Sequence, residues 1–550
     1  MTEAEQVLSI EGLTVDLPTW ADRPHAVEAV SLALWRNEIL CVVGESGSGK
    51  SVMARSILGL STSHHVQPSA GRILYGGEDL LKAAPERMRE LRGSRIAMIF
   101  QEPMTALNPV LTIGRQIEEA ITAHLPLSRD ERRRKVLEML AAVQLPDPAR
   151  IYAAYPHQVS GGQRQRAMIA MALILEPDIL IADEPTTALD VTTQAQVLAL
   201  IREMQRKRRM AVLFITHDFG VVAEIADRIA VMQHGKLVEH GPAGRVLEAP
   251  EHPYTQALLA AVPDLVPAPA RQSFESAPIA LGVSGLRKAY RGKGIFRASA
   301  AKVVYAAKDV ALEIRRGETV GIVGESGSGK STVARCIARL VAADAGEIHV
   351  GDVDFGRLSA RVLRRSRKRI QMVFQDPYGS LDPRQSVGQL IAEGPLIHGA
   401  TRAAALQRAA ELLKLVGLDA RSINRFPHEF SGGQRQRIGL ARALALDPDV
   451  LIADEPVSAL DVSVQAQVLS LLADIRERLG LSVLFITHDL RVAGQVCDRI
   501  AVMRHGEIVE FGRTAAVFNA PVHPYTQALF AAVPGREWSL RRAAAAPLEA

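Results

Sequence analysis

The sequence predicts an α/β protein built twice: two tandem domains, each a mostly parallel sheet with flanking helices plus a helical subdomain. Three observations predict it. The octapeptide GESGSGKS stands at 44–51 and again at 324–331. Later motifs recur at one constant offset, and short apolar runs alternate with helical patterns in both copies.

The register of the repeat separates packed segments from loops. Lys330 follows Lys50 by 280 residues, Gln375 follows Gln101 by 274, and Ser431 follows Ser160 by 271. The offset then stays at 271 through ADEP, FITHD and HPYTQAL. Insertions collect in surface loops, so a constant register over this stretch implies a packed segment. The expected domains are 1–263 and 281–550. Between them 264–280 reads as a linker, because VPDLVPAPARQSFESAP is rich in proline and alanine and has no periodicity.

Inside each copy, ILCVVGES (39–46) reads as a buried strand entering a glycine turn, and SVMARSILGL as the helix after it. DILIADEP and AVLFITHD are short, nearly all-apolar runs, as parallel strands covered on both faces require. Residues 112–158 and 386–429 carry helical patterns without comparable strand signals, which predicts the helical subdomain.

Composition excludes several classes. The chain is 48% hydrophobic and 23% charged, ordinary for a globular protein. No run approaches the roughly eighteen apolar residues of a membrane-crossing helix. MTEAEQVLSIEG has acidic residues where a signal peptide is basic, so a cytoplasmic location is expected. Cys41, Cys336 and Cys497 form no CxxC pair and read as small buried hydrophobes. The net charge of +5 is small for this length, and the basic runs RDERRRK (129–135) and RRSRKR (364–369) read as solvated helix faces, not a nucleic-acid surface.

The pattern G-x-x-x-x-G-K-[ST] is met by Gly44, Glu45, Ser46, Gly47, Ser48, Gly49, Lys50 and Ser51, and by Gly324, Glu325, Ser326, Gly327, Ser328, Gly329, Lys330 and Ser331. It is a P-loop: glycines turn backbone N–H groups onto phosphates, the lysine reaches the β/γ oxygens, and the serine hydroxyl ligates Mg²⁺. ILIADE and VLIADE put two carboxylates at the end of a buried strand, which is costly unless a cation or nucleotide uses them. Asp183 and Asp454 are therefore assigned to Mg²⁺, and Glu184 and Glu455 to polarising the attacking water. His217 and His488 follow the next apolar strand. A lone histidine there is more often structural, but its repetition in FITHD favours contact with the γ-phosphate. Gln101 and Gln375 could sense Mg²⁺ and water through amide hydrogen bonds.

VSGGQRQR and FSGGQRQR each precede a helix. Ser160, Gly161, Gly162 and Gln163, and Ser431, Gly432, Gly433 and Gln434, read either as helix caps or as a second anion site in each copy. The anion-site reading has a natural use if each segment closes on the nucleotide of the other copy.

The ordered set GESGSGKS, FQEP or FQDP, SGGQ, LIADEP, TALD or SALD, and THD closely resembles the ATP-binding subunits of ABC transporters, over both copies. The resemblance implies ATP and Mg²⁺ as cofactors and a head-to-tail pairing. One site would join 44–51, Gln101, Asp183, Glu184 and His217 to Ser431–Gln434; the other would join 324–331, Gln375, Asp454, Glu455 and His488 to Ser160–Gln163. The aspartates ending TALD and SALD, Asp190 and Asp461, resemble those that cross-talk between sites. Tyr290 fits the aromatic that stacks on adenine in the second copy; the first has Leu17 there, with Trp20 as a substitute.

YPHQVSGGQRQR and the two HPYTQAL segments further resemble importers of dipeptides, oligopeptides, glutathione or nickel. That resemblance implies two transmembrane permease subunits as partners, indirectly an extracytoplasmic solute-binding protein, a peripheral position on the cytoplasmic face of the membrane, and no nucleic acid. Many such relatives carry a cysteine cluster after HPYT; with no cysteine after Cys497, no iron–sulfur cluster is expected. The rival readings are a tandem ABC ATPase acting on ribosomes or nucleic acid, and a nucleotide-binding scaffold without turnover.

Overall fold

A computed structural model describes residues 5–545 except 62, 64, 102–105, 187–188, 270, 272–273, 292–302, 377–378 and 459. Parts of FQEP, FQDP, TALD, SALD and the linker lie outside the described residues. The chain divides into two compact units, residues 1–189 with 193–262 and residues 190–192 with 263–550.

The first unit contains strands β1 (Gln6–Asp16), β2 (His25–Trp35), β3 (Ile39–Val43), β4 (Pro68–Tyr75), β5 (Glu78–Asp79), β6 (Ile96–Ile99), β7 (Ile179–Asp183), β8 (Ala211–Ile215), β9 (Arg228–Gln233) and β10 (Lys236–Pro242). They form two sheets. One has the order β10-β9-β3-β8-β7-β6, parallel except for the antiparallel edge strand β10. Every residue of β3, β7 and β8 is buried, which explains why these strands read as unbroken apolar runs.

The other sheet, β2-β1-β4-β5, is antiparallel. It is absent from the expected architecture. Along β1, buried and partly exposed positions mix, and its pairing with β2 and β4 shifts register around Gly12. Those irregularities break the strict alternation that would announce an antiparallel strand in sequence.

The second unit repeats the plan with β11 (Ile279–Arg291), β12 (Val303–Arg315), β13 (Thr319–Val323), β14 (Ala345–Val350), β15 (Val353–Asp354), β16 (Ile370–Val373), β17 (Val450–Asp454), β18 (Ser482–Thr487), β19 (Arg499–Arg504) and β20 (Glu507–Arg513). Its sheets have the orders β12-β11-β14-β15 and β16-β17-β18-β13-β19-β20. The helical subdomain is present in both units. In the first it holds the helices Ile113–Thr122, Arg129–Ala142 and Pro148–Ala153, leading into Gly161–Leu173; in the second, Val387–Ile397 and Arg402–Leu415 lead into Gly432–Leu444.

The segment read as a linker is pinned along the second unit. The Leu265 amide donates to Ser539 Oγ at 3.0 Å, the Ala268 amide to the Gly494 carbonyl at 3.0 Å, and Arg542 Nε to Asp264 Oδ1 at 2.9 Å. Prolines leave backbone amides without helix or strand partners, and here the Asp264 carboxylate and the Leu265 and Ala268 amides find theirs on a neighbouring surface. Cys41, Cys336 and Cys497 are buried free thiols, and burial pushes the thiol pKa of all three up. Among the described residues, no helix is long and apolar enough to cross a membrane.

Candidate nucleotide sites

Each P-loop connects a buried strand to a helix. From β3 the chain turns at Gly44 (φ 147°) and enters the helix Lys50–Ile57 through Gly49 (φ 99°). A Cβ on Gly44 would collide with the Met232 carbonyl, and one on Gly49 with the Ala26 carbonyl, so both positions need glycine on two counts. Gly324 and Gly329 meet the Met503 and Ala306 carbonyls in the same way.

The two lysines are buried inside their loops. Lys50 Nζ donates to the carbonyls of Gly44 (2.8 Å) and Glu45 (2.9 Å), and Lys330 Nζ to those of Gly324 (2.6 Å) and Glu325 (2.9 Å). Burial pulls the Lys330 pKa down, against the opposing charges of Glu455 and Asp454. An ammonium that donates to loop carbonyls in a buried loop is well placed to exchange them for phosphate oxygens.

The serine after each lysine faces the aspartate at the end of the neighbouring motif strand. Ser51 Oγ donates to Asp183 Oδ1 at 2.8 Å, and Ser331 Oγ to Asp454 Oδ1 at 3.0 Å. Asp183 is 0% exposed, and its Oδ2 is buried without a hydrogen-bond partner. Burial pushes both carboxyl pKa values up, with the serine hydrogen bonds opposing it. A buried carboxylate with an oxygen to spare beside a hydroxyl is a donor set that suits a hard divalent cation, so the residues present fit Mg²⁺.

The following glutamates occupy a strained conformation. Glu184 and Glu455 both have φ 48°, a left-handed backbone that costs a non-glycine residue of order 1–3 kcal/mol. Their amides donate to the Ile215 and Ile486 carbonyls at 3.0 and 2.9 Å. The turn brings three predicted residues together: Glu184 accepts from Gln101 Nε2 at 2.9 Å and meets His217 Nδ1 at 3.3 Å. In the second copy Glu455 accepts from Gln375 Nε2 at 2.7 Å and meets His488 Nδ1 at 3.2 Å. Burial, the largest effect, raises the Glu455 pKa, but the His488 hydrogen bond and charge with Lys330 outweigh it and hold the carboxyl below its ordinary value. Burial likewise lowers the His488 pKa, and Glu455 reverses it to a net rise. Glu455 and His488 therefore favour their charged forms as a pair.

The SGGQ segments are capping boxes. Ser160 Oγ accepts from the Gln163 amide, and Gln163 Oε1 accepts from the Ser160 amide; Ser431 and Gln434 do the same. The two glycines differ. A Cβ on Gly162 would collide with Thr193, and one on Gly433 with Val464, so helix packing inside each unit demands those two. Gly161 and Gly432 would admit a Cβ with only ordinary van der Waals contacts, 3.9 Å from Arg164 and 3.8 Å from Leu460. Their lack of a side chain has no explanation within their own unit.

The candidate adenine aromatics stay at the surface: Tyr290 is 45% exposed on β11, and Trp20 is 75% exposed, edge-on to His65. Two residues escaped sequence reasoning. Tyr254 Oη accepts from the Glu45 amide at 3.1 Å, and Tyr525 Oη from the Glu325 amide at 3.3 Å. Their signal was the tyrosine of HPYTQAL, repeated at the constant offset.

Residues 27–187 and 307–458 match the family described as ABC transporter. The chain belongs to the ATP-binding proteins of that family. As such it binds and hydrolyses ATP. Residues 238–282 and 509–547 match a second family, the oligopeptide/dipeptide transporter C-terminal region. The glutathione import ATP-binding protein of Salmonella choleraesuis (strain SC-B67) is 47% identical over 570 residues, covering 98% of this chain and 91% of that protein. Its namesake in Escherichia coli O157:H7 is 46% identical with the same coverage.

The glycine contrast predicts a stability difference. Gly162→Ala is expected to cost about 1–3 kcal/mol through overpacking against Thr193, whereas Gly161→Ala should leave stability within about 0.5 kcal/mol; denaturant midpoints of the two variants check it.

Proposed function

We propose that this chain is the ATP-hydrolysing subunit of an importer for glutathione or related short peptides, working through two separate permease subunits. The observation that carries the reading is the Ser–Asp pair behind the P-loop of each copy, taken with the relatives' role in glutathione import. The C-terminal family match supports the peptide-like substrate class. The subunit would sit peripherally on the cytoplasmic face of the membrane, and an extracytoplasmic protein would select the solute.

In each site the P-loop amides and Lys50 or Lys330 hold the phosphates. Ser51 with Asp183, and Ser331 with Asp454, would hold Mg²⁺, and Gln101 and Gln375, bonded to the glutamates, would sense the metal and the water. When bound there, Mg²⁺ would supply positive charge to offset that of the phosphates. Glu184 and Glu455 accept the proton of the attacking water. His217 and His488, each against a glutamate, orient that carboxylate toward the water and contact the γ-phosphate. Strain at the glutamate fits this role, since sparsely populated backbone conformations cluster at functional sites.

Each site is completed by the SGGQ segment of the other copy. The support is Gly161 and Gly432: bare helix starts suit close approach by a phosphate, and no close contact in their own unit requires glycine there. Gly432→Ala is then expected to impair the site built on Lys50, some 380 residues away in sequence, at unchanged stability. ATP turnover measured with the Lys330 site disabled reads this out, and normal turnover there would show the sites to be independent.

Glu184→Gln with Glu455→Gln should lower ATP turnover by about 100-fold or more while ATP still binds. Unchanged turnover would remove the glutamates from the role of base. The import reading is tested by affinity purification from detergent-solubilised membranes. Two integral membrane subunits are expected to co-purify; recovery with ribosomes or nucleic acid in their place would end it.

A further inference from the structure

The HPYTQ segment, repeated in each copy, has a role that its residues spell out one by one. It starts the helices Pro253–Ala260 and Pro524–Ala531. His252 Nδ1 caps the first by accepting from the Tyr254 amide at 3.2 Å, and His523 caps the second at 3.1 Å. The proline stands at the first helical position, where no N–H is needed. Gln256 Nε2 donates back to the Pro250 carbonyl, and Gln527 Nε2 to that of Pro521, both at 2.9 Å.

The turn before each helix is tied to the edge strand of the parallel sheet. Glu239 of β10 accepts from the Glu251 and His252 amides at 2.9 and 3.1 Å; Glu510 of β20 accepts from the Val522 and His523 amides at 2.9 and 3.0 Å. The helix start is therefore fixed to the sheet from which the P-loop springs.

What this frame presents to the P-loop is the tyrosine hydroxyl. Gly44 O and Glu45 N belong to one peptide group. Lys50 grips that peptide by its carbonyl and Tyr254 by its amide, and Lys330 and Tyr525 grip the Gly324–Glu325 peptide likewise. When the lysine turns to a phosphate, its hold on the carbonyl is lost. The tyrosine still holds the same peptide by its amide.

We propose that Tyr254 and Tyr525 are positioning residues for ATP binding, bracing the first peptide of each P-loop through the HPYTQ frame so that the lysine can leave it without the loop collapsing. The proposal rests on the P-loops being the ATP sites. It gives the C-terminal segment a task inside the ATPase itself, separate from any contact with a permease.

The test uses the full chain with Tyr254→Phe and Tyr525→Phe, singly and together, since phenylalanine keeps the ring and removes only the hydroxyl. A lost hydrogen bond of ordinary strength predicts a roughly 3- to 10-fold rise in the dissociation constant for MgATP at the altered site. KM for ATP should rise more than kcat falls. Amide exchange in the nucleotide-free chain should accelerate in 44–51 for the first variant and in 324–331 for the second, with Tm shifted by no more than about 2 °C. Unchanged MgATP affinity in the double variant overturns the proposal. So does weaker binding accompanied by faster exchange across the whole unit, which would make the tyrosines merely structural. Failure of the unaltered chain to bind ATP would overturn the ATP-site reading instead, while the exchange measurement would still report on the brace.

Discussion

The parallel hydrogen-bond ladder between β3, β8 and β7 is the constraint on which the candidate sites depend. In the first unit Val42 and Asp183 both pair with Ile215, so all three lie in one row across the sheet. The chain leaves that row at adjacent points: the P-loop after β3, Glu184 after β7, and Thr216 and His217 after β8. A one-residue slip would turn Asp183 away from Ser51. In the second unit Asp454 pairs with Ile486 and Val323 with Thr487, which sets the same three exits side by side. The chemistry gathers at this edge because parallel strands end there together.

At that edge, unfavourable terms are tolerated for a purpose. Asp183 is buried with an unpartnered oxygen, Lys330 is pulled toward neutrality by burial, and both glutamates hold a left-handed backbone. None of these stabilises the fold by itself. They persist because the apolar strands beneath, every residue of them buried, over-determine the positions above. The Glu455–His488 pair has a defined pH window. Its histidine contribution is complete below about pH 6.5 and lost as pH rises through the raised folded value; its carboxylate contribution is present above about pH 4.5 and lost as pH falls through the depressed one.

Legibility in the sequence followed how local the physics is. P-loops, acidic strand ends and capping boxes are set by residues within a few positions of one another, so their motifs declare them, and the unbroken apolar runs declare the parallel sheet. The antiparallel sheet was not legible because β1 pairs with β2 and β4 through repeated register shifts. The docking of 264–268 was not legible because Ser539, Gly494 and Arg542 lie hundreds of residues away and a proline-rich segment carries no periodic sign of what it touches. The Tyr254 contact spans 209 residues. Only duplication betrayed it, since a tyrosine repeated at a constant offset marks something that both copies use.

The duplication also separates internal from external causes. Where both copies share a feature and packing explains it, the unit suffices as the cause: Gly162 and Gly433 are held against Thr193 and Val464, and Gly44 and Gly324 against backbone carbonyls. A second class of shared feature is one that packing within the unit does not require. Gly161 and Gly432 are of that kind, for alanine would fit and would strengthen a helix start. Both glycines stand at the first position of a helix, where backbone N–H groups and the helix dipole suit an anion.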